Sequence, residues 1–329
     1  MKKKKIHAAF SAALLLLSII TFAQKKEKLE FEKERSISKT YPASGNSLSL
    51  DNTFGQIKLI IWDKNEVKVD VQIKAGSSDK DIAESTFNAI DVTEGLSNGK
   101  ISFKTKVNGN NNNKGCKNCQ TNMRIDYEVH LPASMKLTLN NSFGNVFIPD
   151  YKGELTVNNK FGALTAGTLD KVKSLQVEFG SAEIKSLSDV SVVFKFSKIQ
   201  IGSLGGTNKV TMEFCDSSSI GLASDLSGLT LNESYSTINL RPASALGASY
   251  TVKTSFGTFI DRSNAGVVRT DTPDRYGPDS NRTYEGKTGN GSVKIEIKSS
   301  FGRIILGEAK ESDMKKSSKS FSRSAGQVI

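Results

Sequence analysis

Apolar and polar residues alternate along most of this chain, and one alternating phrase ending in an aromatic residue keeps returning. Counted from aromatic to aromatic between Phe143 and Phe256, the steps are 18, 18, 17, 18, 21 and 21 residues. Period-2 alternation is typical of strands with one buried face, and a near-constant spacing of this size is typical of stacked repeats. The aromatic position is occupied by Phe54, Phe143, Phe161, Phe179, Phe196, Phe214, Tyr235, Phe256 and Phe301, usually with glycine after it.

Each repeat predicts a strand, a glycine corner and a second short strand. The predicted fold is therefore all-β, a right-handed parallel β-helix or β-solenoid with coils of about 18–21 residues. Alternation places Leu139, Asn141 and Phe143 on one face, so we expect the aromatic residues to form a buried ladder. Glycine at the corner is expected to take positive φ, and burial of each ring to contribute about 1.5–3 kcal/mol.

Residues 41–132 predict a β-rich cap or first coil that precedes the main array. It contains a hairpin from Ile57 to Ile73 and a short helix over 79–90, with Ser78 or Asp79 as the N-cap. A long asparagine-rich loop follows at 107–122, and loops of this length are usually functional or disordered.

Residues 133–307 predict the repeat array, interrupted by an insertion at 263–291 that is rich in glycine, aspartate and arginine. The run at 293–306 is expected to be the last coil. Residues 24–40 are highly charged and predict a flexible lead-in, and the basic segment 308–329 predicts a disordered tail.

The first 23 residues have the composition of an export signal. Lys2 to Lys5 precede an apolar run from Ala12 to Ile20, and Thr21-Phe-Ala23 provides small residues for cleavage. The run is short for a membrane anchor, and the alternative is an N-terminal helix that is retained. We expect an exported protein that lies in the periplasm, at the outer-membrane surface or outside the cell.

Charge adds little to the choice of partner. The formal net charge is +11, and removal of the signal with its four lysines lowers it to +7. A basic exported protein can favour anionic lipid, polysaccharide or nucleic acid. Mild solubilising charge is the simpler interpretation, and we expect no nucleic-acid partner and no cofactor.

The close cysteine pair predicts a small loop staple. In an oxidising compartment Cys116 and Cys119 can form a disulfide. A zinc site needs two more ligands, and a redox-active pair normally opens a helix, which the asparagine-rich context does not favour. Cys215 occupies a glycine position of the repeat and is interpreted as a small filler residue.

No catalytic constellation follows from the pattern, and no metal site is expected. His130 is the only histidine after the signal, and it has no evident nucleophile partner. Glu178 and Glu183 point outward on neighbouring strands, which is more typical of a solvated face than of a glycosidase pair.

The chain resembles a known family in several of these motifs. They are the hairpin with Trp62-Asp63, the run from Tyr127 to Pro132 that leads into Leu137-Thr-Leu139, and the repeated Phe-Gly-x-[Val/Ile]. From about residue 41 to 306 the sequence is similar to the bacterial "putative adhesin" family. That resemblance implies an exported β-solenoid domain of unknown function and carries over no catalytic residue.

Two functions remain open at this point. The first is a non-enzymatic, adhesin-like envelope or surface protein that binds carbohydrate, protein or the cell surface through its flank and inserted loops. The alternative is a polysaccharide-active β-helix lyase or hydrolase, which rests on fold analogy. The insertion supplies the candidate contact residues, which are Asp274, Arg275, Tyr276, Arg282 and Tyr284.

Overall fold

The computed structural model describes residues 29–109, 119–273 and 279–314. Within these residues, 22 strands form one continuous hydrogen-bonded network, accompanied by two short helices. The predicted all-β class is confirmed.

The N-terminal part contains seven strands and one helix. They are β1 (Phe31–Pro42), β2 (Ser47–Thr53), β3 (Ile57–Ile61), β4 (Glu66–Ser77), α1 (Lys80–Ala89), β5 (Ile90–Ser97), β6 (Lys100–Val107) and β7 (Thr121–Leu131). Strands β1, β4 and β7 pair in antiparallel fashion, with β4 in the middle. The predicted helix is found as α1, capped by Asp79, whose side chain accepts from the Ile82 amide.

The charged segment before residue 41 corrects one expectation. Residues 31–40 were expected to form a flexible lead-in, but they belong to β1, which pairs with β4 along twelve residues. The four successive charged residues from Glu32 to Arg35 do not prevent this pairing, because backbone hydrogen bonds and the half-buried alternate side chains provide the contacts. Lys74 and Glu34, which lie opposite each other in this pair, form an ion pair of 2.9 Å.

The central part consists of parallel strands that follow one another at offsets of about one repeat. They are β8 (Lys136–Ser142), β9 (Val146–Ile148), β10 (Tyr151–Lys160), β11 (Ala163–Glu178), β12 (Ser181–Ser188), β13 (Ser191–Lys195), β14 (Lys198–Glu213), β15 (Ser218–Ser234) and β16 (Thr237–Pro242). Leu155 of β10, for example, lies beside Leu137 of β8. We call each unit of strand, aromatic corner and strand a rung.

The C-terminal part contains the remaining elements. They are β17 (Ala248–Ser255), β18 (Thr258–Arg262), β19 (Val268–Arg269), β20 (Asn281–Lys287), β21 (Val293–Ser300), β22 (Arg303–Gly307) and α2 (Glu311–Met314). The expected tail begins with this helical turn, in which Asp313 is buried and pairs with Arg262 at 3.0 Å. The rest of the tail lies outside the described residues.

Sequence order and spatial order differ at both ends of the array. The rung β2–β3 lies between β6–β7 and β8–β9. The rung β21–β22, expected to come last, lies between β15–β16 and β17–β18. The free side of β17 is covered by antiparallel β20 from the insertion. The end strand is thus paired, which protects an edge that would otherwise be open to aggregation.

The core runs lengthwise through the array. Each rung contributes alternate side chains, such as Leu137 and Leu139 of β8, which are at most 1% exposed. Buried asparagines continue this inward row two residues before the ladder aromatic. The Asn52 side-chain amide donates to the Asn141 side-chain oxygen at 3.2 Å, and the Asn141 amide donates to the Gly144 carbonyl at 2.8 Å. The buried amides therefore satisfy backbone carbonyls at the corner, as buried polar groups require.

The aromatic ladder faces outward, and the expectation of buried rings is wrong. Phe143 is 51% exposed and Phe179 is 46% exposed. Each aromatic residue of the ladder takes a left-handed backbone, with φ between 49° and 63°. Strict inward–outward alternation holds only for extended backbone, so a left-handed residue turns its side chain away from the face that parity assigns to it.

Glycine has a different role at the corner from the one expected. The glycines that follow the aromatic residues do not have positive φ. Instead, a Cβ built on Gly162 would lie 1.9 Å from the Gly144 carbonyl oxygen, and one on Gly144 would lie 1.9 Å from that of Gly55. At Gly55, Gly144, Gly162 and Gly180 the neighbouring rungs approach each other through their backbones, which leaves no room for a side chain. In later rungs the same position is occupied by Ser197, Cys215 and Ser236.

Stacking offsets the cost of the left-handed aromatic residues. A non-glycine residue in this region costs about 1–2 kcal/mol. Neighbouring rings stack at centroid distances near 4.8 Å with almost parallel planes, and such pairs contribute about 0.5–1.5 kcal/mol each. One stacking contact per rung is of the same size as the backbone strain.

We expect Phe179→Ala to lower the free energy of unfolding by about 1–3 kcal/mol, because the ring loses two stacking contacts but leaves no cavity in the core. The control is Leu175→Ala in the same rung, which creates a buried cavity and is expected to cost about 2–5 kcal/mol. Denaturant unfolding measures both. A larger loss for Phe179→Ala than for Leu175→Ala would show that the ring stabilises the fold like a core residue.

We expect Gly162→Ala to cost at least about 3 kcal/mol, or to prevent folding, because the added methyl group meets a backbone carbonyl that cannot rotate away. Gly95→Ala is the matched control, since nothing lies within 4 Å of a Cβ at that position. Thermal unfolding of the two variants should therefore separate sharply. Similar melting temperatures for both would contradict the close approach of the rungs.

Candidate functional site

The most prominent surface feature of the described residues is the aromatic ladder. Eight of its nine rings are 45–58% exposed, and Phe54 at one end is half-buried. Centroids of neighbouring rings lie 4.7–5.3 Å apart, with interplanar angles of 2–13°. In spatial order the rings are Phe54, Phe143, Phe161, Phe179, Phe196, Phe214, Tyr235, Phe301 and Phe256.

The geometry of the ladder decides what it can contact. Because each ring covers its neighbours' faces, the ring edges form the exposed surface, an apolar ridge about 40 Å long at the usual strand spacing. Exposed apolar surfaces of this extent usually mark interaction sites. The assignment of strand faces from residue alternation missed this surface because it placed the rings in the core. The sequence signal that marks this surface is the recurrence of a bulky aromatic residue directly before glycine.

Alternating charges accompany the middle of the ridge. The residues just before four successive aromatics are Lys160, Glu178, Lys195 and Glu213, and the pairs Lys160–Glu178 and Lys195–Glu213 are each 3.0 Å apart. The hydrogen bond from Lys160 is the largest of the effects that lower the pKa of Glu178. The charges compensate one another, so this flank of the ridge has little net charge.

The asparagine- and cysteine-rich loop leaves the fold where a corner would otherwise stand. Thr105 of β6 donates to Asn52 at 2.9 Å and so occupies the place of the corner asparagines. Val107, two residues later and the last residue of β6, holds the position at which other rungs have a ladder aromatic. The chain returns to the fold at Gln120, whose carbonyl oxygen accepts from the Ser77 hydroxyl at 3.0 Å. Cys116 lies outside the described residues, so the Cys116–Cys119 disulfide stays a prediction.

The 263–291 insertion reaches the other end of the ladder. The Phe256 amide donates to the Ser280 carbonyl at 2.8 Å. Near it, Arg269 contacts both Asp271 and Asp279, and its hydrogen bonds lower the pKa of Asp271 to about 2. This ionic cluster ties together the two sides of the loop that carries the predicted contact residues.

The predicted contact residues are divided by the structure. Asp274, Arg275 and Tyr276 lie outside the described residues, and their role stays a prediction. Arg282 is 3.2 Å from Asp279 and belongs to the ionic cluster. The Tyr284 ring packs against Phe259 at 5.1 Å and against the core, so it covers the end of the array.

The residues considered for catalysis are not brought together. Glu178 lies on the strand before the Phe179 corner and Glu183 on the strand after it. His130 packs against Trp62 with ring centroids 5.2 Å apart, and its Nε2 lies 3.9 Å from Glu128. Among the described residues, no group of three His, Cys, Asp or Glu side chains is placed to hold a metal ion. Cys215 is fully buried.

One buried carboxyl group has unusual surroundings. Glu233 occupies the inward position that asparagine fills in earlier rungs and is 5% exposed. Its carboxyl accepts from the Ser299 hydroxyl and, at 3.2 Å, from the Ser236 amide. Desolvation by burial raises the pKa of Glu233 to about 7. Ser299 belongs to β21, so this contact joins the rung that is out of sequence order to its neighbour.

Comparison with solved structures finds matches of low sequence identity. A "putative cell adhesion protein" of Clostridium sporogenes is 12% identical, with 84% of this chain and 100% of that chain covered and a TM-score of 0.20. A "putative adhesin" of Bacteroides fragilis is 11% identical, with 83% and 97% covered and a TM-score of 0.31. A "putative lipid binding protein" of Parabacteroides distasonis is 12% identical, with 85% and 98% covered and a TM-score of 0.36.

The adhesin names among these structures agree with the resemblance found in the sequence. No protein family and no curated protein matches the chain. With TM-scores below 0.5, the structural matches establish neither family membership nor function. In the part of the chain that the structure describes, no helix has the length and apolar character needed to cross a membrane.

The raised pKa of Glu233 predicts a loss of stability with rising pH. A carboxyl group that keeps its proton in the folded state contributes stability below its unfolded pKa of 4.5, and this contribution is lost as pH rises through about 7. The expected loss between pH 4.5 and 8 is about 3 kcal/mol.

Glu233→Gln should remove this pH dependence, because the amide can keep the hydrogen bonds without ionising. Glu183→Gln is the control, since Glu183 is exposed. Denaturant unfolding at several pH values measures the effect. An unchanged pH dependence in Glu233→Gln would mean that the buried carboxyl is ionised in the folded protein.

Proposed function

We propose that this chain is a non-enzymatic, adhesin-like protein of the cell envelope or surface, exported by its N-terminal signal. It binds carbohydrate, protein or the cell surface through the flank of a β-solenoid and the loops inserted into it. The observation that carries this proposal is the exposed aromatic ladder. Its length of about 40 Å suits a polymer or a flat surface better than a small molecule.

The physical argument concerns what the ridge does in water. A row of half-exposed rings keeps apolar surface in contact with water. Covering that surface contributes a favourable free energy of roughly 25 cal/mol for each Å² removed from water. The ridge is rigid, because each ring is held between two others on hydrogen-bonded strands. A partner therefore meets a preorganised surface and does not have to order it, which lowers the cost of binding.

The proposal also includes the handedness of the solenoid, the export of the chain and its location. Parallel strands at offsets near 18 residues support a right-handed β-helix of coils joined through the aromatic corners. Export rests on the sequence pattern of the first 23 residues, which lie outside the described residues. A periplasmic, surface or secreted location is equally compatible with that pattern.

A binding assay with ladder variants tests the proposal. We expect Phe161→Asn, Phe179→Asn and Phe196→Asn together to weaken co-sedimentation with envelope polysaccharide or cell-surface material at least tenfold. Asparagine tolerates the left-handed backbone, so the variant should stay folded, which circular dichroism verifies. The control exchanges exposed Lys171 and Lys173 for asparagine and should bind like the parent.

Parent-like binding by the folded triple variant would leave the ladder with a purely structural role and would overturn the proposal. A parallel assay for new reducing ends addresses the alternative of a polysaccharide-active enzyme. Steady release of reducing ends by the parent protein would show that the chain is an enzyme.

A further inference from the structure

The ridge exposes the edges of its rings and covers their faces. Each inner ring has a nearly parallel neighbour on both sides, with centroids 4.7–5.3 Å apart. Among the described residues, only the outer faces of the end rings, Phe54 and Phe256, have no ring stacked on them, and Phe54 packs against the core. The exposed surface of the inner rings therefore consists of their C–H edges.

This edge-on arrangement does not suit direct stacking of the rings on sugars. A sugar would place its C–H groups on the face of an aromatic ring, which carries the negative end of the ring quadrupole. In the ladder that face is occupied by the next ring. The edge carries the positive end of the quadrupole, so it suits hydrocarbon chains and electron-rich oxygen atoms. Both occur where the acyl chains of a lipid bilayer meet the ester groups.

The ridge is straight and stands above its surroundings. From Phe143 to Phe256, the planes of neighbouring rings differ by only 2–5°, so the ridge does not wind around the array. The residue directly before the aromatic is half-buried in every rung of the ladder, whereas eight of the nine aromatic residues are exposed. A flat partner can therefore meet the ring edges together along the ridge.

The rows beside the ridge have little net charge. In the row before the aromatics, two lysines and two glutamates form the ion pairs of 3.0 Å described above. The other members of that row are small hydroxyl residues, namely Thr53, Ser142, Ser234, Ser300 and Ser255. Just after the corner, Lys198 and Arg303 add positive charge and Asp216 adds negative charge. Electrostatic attraction to a strongly anionic surface is therefore not the main source of binding.

A fluid partner fits this surface better than a folded protein does. Tight protein interfaces are anchored by side chains enclosed in pockets, and rings 4.7–5.3 Å apart leave no gap for a partner's side chain to enter. Nine half-exposed rings leave roughly 700–1,100 Å² of apolar surface, which is more than the largest patch of a typical monomer. Lipid chains can adapt to such a continuous surface.

We propose that the ridge inserts its ring edges into the surface of a lipid bilayer, at the boundary between headgroups and acyl chains. This inference rests on the proposed function, in which the ladder is the contact surface, and it names the partner. The array then lies along the membrane with the rings inserted about 5–10 Å, the depth typical of amphipathic elements at this boundary. Tyr235 is compatible with that depth, because tyrosine is amphipathic and common at membrane interfaces.

Flotation with phosphatidylcholine vesicles tests the proposal on the purified protein. We expect the parent to float with the vesicles. The variant with Phe161→Asn, Phe179→Asn and Phe196→Asn should bind at least tenfold more weakly, because it lacks three of the nine rings. Raising the salt concentration from about 0.1 M to about 1 M should change binding of the parent less than twofold, since screening acts on charges and not on apolar contacts.

The matched control is Lys171→Asn with Lys173→Asn, which should float like the parent. All three proteins keep the same N-terminal segment, so its own affinity for lipid contributes equally to each. Circular dichroism and thermal unfolding verify that the variants are folded before they are compared.

A tryptophan reporter measures insertion of the ridge. The parent contains one tryptophan, Trp62, which directly follows β3 and lies outside the ladder. With vesicles, the fluorescence of Phe179→Trp should shift to shorter wavelength and be quenched by lipids brominated on their acyl chains. The fluorescence of the parent should show neither change.

Three results would each overturn the lipid partner: no flotation of the parent, parent-like flotation of the folded triple variant, or equal quenching in the parent and Phe179→Trp. Ladder-dependent binding to cell-surface material without flotation would leave the proposed function standing and the lipid partner wrong. Loss of that binding after protease treatment of the cells would also contradict a lipid partner. Parent-like behaviour of the triple variant in both assays would overturn the proposed function as well.

Discussion

The structure depends on the close approach of neighbouring rungs at the corner. From Gly55 through Gly144 and Gly162 to Gly180, the backbone of one glycine lies against the carbonyl of the next, with no room for a side chain. The left-handed residue just before each glycine turns its aromatic side chain outward. Parallel strands on both sides of the corner keep the spacing that stacked rings need, so packing inside the array and stacking outside it reinforce each other.

This arrangement divides the protein into a core that serves stability and a surface available for contact. Aliphatic side chains, buried asparagines and aromatic rings such as those of Tyr151 and Phe194 fill the interior of the rungs, whereas the aromatic side chains that repeat at the corners are placed in solvent. A left-handed aromatic residue is strained, and stacking offsets that strain only while the array stays in register. The order of the exposed ridge therefore depends on the array that supports it.

Several predictions from the sequence hold because they rest on short-range chemistry. The all-β class follows from alternation, the helix from the Asp79 cap, and the inward asparagines from parity within an extended strand. The prediction of a buried ladder was wrong because side chains alternate between the two faces only along extended backbone. The alternation of residue types does not show where φ changes sign. Residues 31–40 were expected to be flexible because of their charge, yet β4 supplies a partner strand that the local composition does not show.

The sequence alone determined the period of the array, its strand character and the positions where the repeat is interrupted. Tertiary structure decided the direction of the aromatic rings and the spatial order of the end rungs. It also decided the pairing of β20 with β17 and the antiparallel pairing of β1 and β7 with β4. The reason is that alternation and spacing are local properties of a chain. The pairing of edge strands and the backbone approach between rungs depend on residues far apart in sequence.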